Sequence, residues 1–372
     1  MQIDSIEVFH VALPLKVPRE TKVGQLTTLE TVLVRMTSAQ TAGWGEASPG
    51  NAPLDGTEWA AGVFECVRDW LAPRLAGARV ESGDDLQERL SPLRGNRFAK
   101  AALDTAWWDL KARLMEQPLH KVLGGKRDAV EVGVAFDEME TIDDLLAAMG
   151  RAFEAGYTRV DLKMRPGWDL NMLNAVRHEF PTQTVHADIE AALTLNDMEI
   201  LYRLDDFGLA MVEQPLPADD LVGHAMVQEA IRTPVCLDEG ITTPQQVDIA
   251  LELKSAQYVN VKPGRVGGLT PAVAIHDMCH QGCVPCFVGA MCQSAIGTRL
   301  GLALAAKENF LYPADYAAAD EIFCQDLALA PPPTRDENDE KLKIRLWDAP
   351  GIGTDPDPHE LDKFTLTRAA IG

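Results

Sequence analysis

Nowhere in the 372 residues does an apolar run approach the roughly 18 that a membrane-spanning helix needs. Cations are scarce: 34 Lys and Arg stand against 56 Asp and Glu, a formal net charge of −22. Without a basic face, no nucleic-acid partner and no anionic membrane partner is expected. The start, MQIDSIEVFH, lacks the basic end and apolar run of a secretory leader and reads as a strand. Neither GxGxxG nor GxxxxGKS/T follows any strand-like run, which counts against a nucleotide-binding fold. The seven cysteines (66, 236, 279, 283, 286, 292, 324) are odd in number and unevenly spaced. They read as reduced thiols of a cytoplasmic protein, not as a disulfide framework.

What is present is enough apolar sequence for a sizeable core, with 46% hydrophobic and 24% charged residues excluding disorder. Residues 1–126 open with strand patterns (IDSIEVFHVAL, ETVLVRMTS, AGWGEASP) and continue with helical patterns at Glu58–Leu75, Asp84–Leu93 and Phe98–Leu114. Strands followed by helices describe an α+β unit. From 127 to 324 short apolar runs alternate with amphipathic stretches. Strands are expected at 130–136, 158–164, 184–188, 209–213, 234–238, 258–262, 283–289 and, weakly, 309–313. Serial βα units of this kind favour a closed parallel (β/α) barrel over an open sheet. Residues 325–372 lose the alternation. Their PPPTRDENDEK reads as a solvated loop, and the tail is expected to rejoin the first zone as part of an α+β capping domain.

In a (β/α) barrel, working groups sit at the C-terminal ends of strands. Here those ends read Lys163, Asp188, Glu213, Asp238 and Lys262, at intervals of 25, 25, 25 and 24 residues. At average composition, five charged ends in succession would arise in roughly one chain in a thousand. The bland alternative is a set of loop charges or helix N-caps. Three converging carboxylates repel one another unless a cation joins them, and all-oxygen ligation suits Mg²⁺, with Mn²⁺ possible. Such an ion can hold a substrate carboxylate and stabilise the enediolate formed when the adjacent carbon loses its proton. Lysines on strands two and six would address that carbon from opposite faces.

The array and its surroundings, LKMRPGWD, VEQPL, LDEGI and NVKPGRVGG, resemble the enolase superfamily. Within it the muconate-lactonising subgroup, and most of all the o-succinylbenzoate synthase / N-acylamino acid racemase family, is similar over nearly the whole chain, from GWGE to PGIGTDPDP. The resemblance implies a (β/α)7β barrel of residues 127–324 under a cap of residues 1–126. It also implies Mg²⁺ on Asp188, Glu213 and Asp238, and proton transfer by Lys163 and Lys262. Asp161, Glu190, Glu239, Met291 and Gln293 are expected beside the metal or the substrate. A small-molecule carboxylate is the implied partner, with dehydration or racemisation as the outcome and self-association into a homo-oligomer. A muconate-type cycloisomerase, a dipeptide epimerase, or a non-catalytic metal-binding relative are the alternatives. The chain departs from the family pattern at Asp161 (a lysine there), Glu190 (asparagine), Gln293 (an acid) and Gly240 (serine).

Asp161 shares the face of Lys163 and is expected to favour its ammonium form, unless Arg159 or Arg165 takes the carboxylate. His186 is expected to fill the barrel. CHQGCVPC (Cys279, Cys283, Cys286) reads as buried strand and helix in preference to a zinc site. Trp107 and Trp108 read as core. Asp315 and Asp320 read as loop charges, and Lys16–Gly24 as a loop lying over the barrel mouth.

Overall fold

The structure, a computed structural model, describes every residue except 22–23, 55, 138, 165–168, 318–321 and 337–338. The expected Arg165 and Asp320 therefore lie outside the described residues. An antiparallel sheet opens the chain: β1 (Ser5–Thr21), β2 (Gly24–Ser38) and β3 (Thr41–Ala47). Alternation in β2 buries both of its faces. Val32, Val34 and Met36 pack with the cap's own helices, while Leu29 and Leu33 join the core shared with the barrel. Three helices follow: α1 (Ala60–Cys66), α2 (Gly83–Leu90) and α3 (Arg97–Leu114), the last carrying the fully buried Trp107. Glycines let β3 lie against α3, since a Cβ on Gly43 would come 2.2 Å from the Leu110 nitrogen and one on Gly45 2.3 Å from the Ala102 oxygen.

After the short α4 (Leu119–Val122), seven parallel strands run side by side. They are β4 (Ala129–Phe136), β5 (Arg159–Lys163), β6 (Thr184–Asp188), β7 (Val212–Glu213), β8 (Val235–Leu237), β9 (Tyr258–Val261) and β10 (Cys286–Val288). Between them stand α5 (Ile142–Ala155), α6 (Asp169–Glu179), α7 (Met198–Leu204), α8 (Leu221–Ala230), α9 (Pro244–Leu253), the one-turn α10 (Pro263–Val266) and α11 (Leu269–Gln281), and α12 (Ala295–Ala305) follows β10. Their ends show ordinary chemistry: Thr141 and Thr243 cap α5 and α9, and Gly156 closes α5 at φ 99°.

The expected eighth strand at 309–313 is broken. Phe310 makes one bridge to Cys286, and the pairing with β4 falls to β11 (Ala314–Asp315). Pro313 has no N–H to give the ladder, and its carbonyl is taken at 3.0 and 3.3 Å by the Arg159 guanidinium. Asp315 is no loop charge either, because it ion-pairs with that same buried guanidinium. The Pro-rich excursion is likewise not a loop. It forms a hairpin, β12 (Pro333–Asp336) and β13 (Asp339–Arg345), whose second strand lies antiparallel to β4. The chain then passes through α13 (Pro358–Phe364) to β14 (Thr365–Ile371), which pairs antiparallel with β1 at the edge of the first sheet.

Two buried aspartates on α3 tie these parts together. Asp109 accepts from the Trp44 nitrogen at 2.7 Å and the Ile352 nitrogen at 2.7 Å. Asp104 accepts from the Thr270 nitrogen at 3.0 Å and from Gln87 at 2.8 Å. Glu46 does more. Its carboxylate accepts from the Ser294 nitrogen (2.9 Å), the Ser294 hydroxyl (2.5 Å) and the Gly297 nitrogen (2.7 Å), so a residue of the first sheet caps the start of α12 in the barrel. Among the described residues no helix is long and apolar enough to cross a membrane.

Candidate active site

Parallel register sets the rim. Lys163 pairs with Asp188 across β5–β6, and Asp188 pairs with Glu213 across β6–β7, so the three stand side by side at the strand ends. Asp238 follows β8, and Lys262 follows β9 as the residue before α10. Asp188, Glu213, Asp238 and Lys262 are buried, and Lys163 half-buried. Lys163 Nζ donates to Asp188 Oδ2 and stands 3.1 Å from Glu190 Oε1. Lys262 Nζ donates to Asp238 Oδ2 at 2.6 Å. Arg265 donates to Asp238 Oδ1 and, at 2.8 Å, to Glu239 Oε1. Asn260 Nδ2 donates to Glu213 Oε1 at 2.7 Å.

The carboxylates are thus each turned toward a neighbouring donor. Among the described residues no three His, Cys, Asp or Glu side chains are drawn into one metal-holding group. The donor chemistry nevertheless suits a hard divalent cation, with oxygen ligands only and neighbouring like charges. Burial and the repulsion of Glu213 push the Asp188 carboxyl up to about 8, against the pull of Lys163. Burial works against the charge on Lys163, but Asp188, Asp161 and Glu190 outweigh it and hold the ammonium form. Burial also raises Glu239, whose Oε2 is buried with no hydrogen-bond partner.

Asp161 does point inward, but its neighbour is His186. The imidazole Nε2 stands 3.0 Å from Asp161 Oδ1 and 3.3 Å from Glu213 Oε2, aligned as a hydrogen bond to neither, and Nδ1 is 3.1 Å from the Tyr312 hydroxyl. Although burial opposes ionisation, His186 holds Asp161 well below the usual carboxylate range. His186 is therefore more than filler. Arg159 shares the parity of Asp161 and also enters the interior, where it takes Asp315.

A cavity of about 1050 Å³ lies over this rim, with Lys163, Glu190, Met291 and Cys292 on the barrel side and Arg19, Leu26 and Asn51 on the cap side. The expected loop at Lys16–Gly24 is strand as far as Thr21 and again from Gly24, pairing Arg19 with Leu26, and its Val17, Arg19 and Thr21 line the cavity opposite Lys163. Gln293 lines a separate, smaller cavity with Asp315 and Met291. Cys279 and Cys286 are buried, Cys283 is exposed, and all seven cysteines are free.

Sequence reasoning missed Gln214, although VEQPL contains it. Its buried Oε1 accepts from the Asp238 nitrogen at 2.9 Å and the Gly240 nitrogen at 3.0 Å, which fixes the turn after β8. Asn260 was findable because it shares the parity of Lys262. Arg265 and Glu46 offered no periodic signal.

Comparison with known proteins gives one answer. Residues 144–360 match the family described as enolase C-terminal domain-like, and residues 3–124 the mandelate racemase / muconate lactonizing enzyme N-terminal domain. An o-succinylbenzoate synthase of Geobacillus kaustophilus is 37% identical over 98% of this chain and 96% of its own. An N-succinylamino acid racemase of an Amycolatopsis species is 35% identical over the full length of both. The crystal structure of an enolase superfamily member from Listeria innocua superposes with a TM-score of 0.93 at 29% identity, covering 100% of this chain and 99% of that one.

Proposed function

Because the chain belongs to the enolase superfamily and is an enzyme of it, we propose that it removes the proton α to a substrate carboxylate at Lys163 or Lys262. The outcome is dehydration to an o-succinylbenzoate or racemisation of an N-acylamino acid, the reactions in the names of its relatives. The observation that carries this reading is the rim itself: Lys163, Asp188 and Glu213 adjacent in register, with Asp238 and Lys262 completing the arc. Asp188, Glu213 and Asp238 would hold Mg²⁺ (or Mn²⁺), which when bound supplies positive charge to a substrate carboxylate and to the charge that develops as the α-proton leaves.

The protein's own groups do the rest. Lys163 and Lys262 lie on strands separated by three others, so each faces the α-carbon from its own side. A neutral Nζ accepts the proton and an ammonium Nζ returns one. Asn260 and Gln214 fix Glu213 and Asp238, and the cap hairpin excludes water from above. The same reading carries a cytoplasmic setting and self-association. Val222, Met226 and Ile249, exposed on α8 and α9, support the latter, and sedimentation velocity tests it.

The test of function is proton NMR in D₂O with Mg²⁺ against N-acylamino acids, dipeptides and lactonisable acids, beside a dehydration assay. Exchange of the α-proton, or dehydration, is expected. No exchange and no dehydration with any of them would sink the proposal.

A further inference from the structure

The three rim carboxylates are held in different ways. Asp188 accepts from Lys163 and, at 2.9 Å, from the Glu190 nitrogen, and Asp238 accepts from Lys262 and Arg265. Glu213 rests on two shorter side chains. Its Oε1 accepts from Asn260 Nδ2 at 2.7 Å, and its Oε2 stands 3.3 Å from His186 Nε2. Asn260 on β9 and His186 on β6 are buried, at 2% and 0% exposure. The rings of Phe287 and Tyr312 wall the imidazole at centroid distances of 6.1 and 5.6 Å, and the Tyr312 hydroxyl engages Nδ1. A long lysine can change rotamer and leave when a cation arrives. This packed imidazole cannot. Each carboxylate oxygen has two lone pairs, so Glu213 can keep both neighbours and still ligate an ion.

Asp161 stands behind the imidazole. Parallel register pairs it with His186, and its Oδ1 lies 3.0 Å from the same Nε2. With two acids facing that nitrogen, it carries a hydrogen in the neutral ring as in the charged one. Among the described residues neither Nε2 nor Asp161 Oδ1 makes an aligned hydrogen bond elsewhere. The strand that carries Glu213, Val212–Glu213, is only two residues long. A glutamate side chain loses rotamer freedom on taking an ion unless its neighbours already hold it.

We infer that His186 is a positioning residue: backed by Asp161, it fixes Oε2 of Glu213 while Asn260 fixes Oε1, so that this carboxylate is in place before a divalent cation arrives. The inference rests on the metal role of Glu213 proposed above. It gives the departure at Asp161 a purpose, since an acid there is the tether of an imidazole and not a partner for Lys163 alone.

Two amides one methylene apart test it. In His186→Gln the amide reaches the place of Nε2 and can still donate to Glu213. In His186→Asn it reaches only the place of Nδ1 and faces Tyr312. Mg²⁺ affinity is read by calorimetry without substrate, on variants that circular dichroism shows to be folded. His186→Asn is expected to bind Mg²⁺ about tenfold more weakly or worse, and His186→Gln to stay within about threefold of wild type. Asp161→Ala should weaken binding nearly as much as His186→Asn, yet add little to it in the double variant, because it acts through the imidazole. Asp161→Ala carries the test alone should His186→Asn not fold. Glu46→Ala, which loosens the joint between cap and barrel, should bind Mg²⁺ as wild type does, separating positioning from a general loss of stability. Equal affinities in His186→Asn and His186→Gln, unchanged affinity in Asp161→Ala, additive losses in the double variant, or a Glu46→Ala protein as weak as His186→Asn would each overturn the inference while leaving the proposed function standing. A wild-type protein that binds no Mg²⁺ would overturn the metal role of Glu213 and this inference with it.

Discussion

A carboxylate beside a lysine base would be expected to hold the lysine charged, and Asp161 has a second neighbour that shares this load. His186 sits between Asp161 and Glu213, so two buried acids share one imidazole. Removing one member leaves a buried charge unmatched, which costs about 3–5 kcal/mol. Asp161→Leu and His186→Leu should each destabilise by about that much in urea titrations, and the double variant by clearly less than the sum. Additive losses would show that the two do not act as a pair. At the rim, Asp188→Asn, Glu213→Gln and Asp238→Asn should each weaken Mg²⁺ binding in calorimetry while circular dichroism stays native. Unchanged affinity in all three would dismiss them as the ligands. Lys163→Ala and Lys262→Ala should each stop racemisation. Each variant should still exchange the α-proton of one enantiomer only, and equal exchange of both enantiomers in both variants would contradict bases on two faces.

Among the elements, β3 shows how local sequence and tertiary role diverge. Each letter of GWGE has its reason only in three dimensions. The glycines admit the α3 backbone, the Trp44 nitrogen meets Asp109, and Glu46 caps α12. Glu46→Ala should cost about 2 kcal/mol or more, because it leaves three donors at a buried helix start without their acceptor. Hydrogen exchange should locate the loss in the first turn of α12, and a loss spread evenly over the chain would refute the capping role. The same contrast explains what was legible. Strand ends with repeating spacing announce themselves, and 184–188 was read to the residue. The eighth strand was misplaced because a proline and a distant arginine decide its pairing. The hairpin at 333–345 hid behind prolines and charge because its partner strand lies some two hundred residues earlier. Asp161 was read correctly as inward-facing, but its partner sits on the neighbouring strand, and only register brings His186 beside it.

Across the molecule, the joint between cap and barrel is polar and buried, which makes it answer to pH. Burial raises the Asp104 carboxyl to about 6 from a usual 3.8, against the hydrogen bonds from Thr270 and Gln87. The folded state therefore binds its proton more tightly than the unfolded chain. Stability from this group is greatest below about pH 4 and falls as pH rises, by up to about 1.4 kcal/mol per unit, until about pH 6. Asp104→Asn should remove that slope, seen as the difference between wild-type and variant unfolding midpoints across pH 4–6. A constant difference over that range would mean that Asp104 does not titrate there.

Asp104 and Glu46 carry one more consequence, for anyone wishing to recombine this protein with its relatives. Two barrel helices, α11 and α12, find carboxylate acceptors for N–H groups at their starts in side chains of the cap. A barrel expressed alone would begin those helices with bare N–H groups facing water or apolar surface. Cap and barrel should consequently melt in one transition, and a chimera built by exchanging caps that loses either carboxylate should be less stable than one that keeps both.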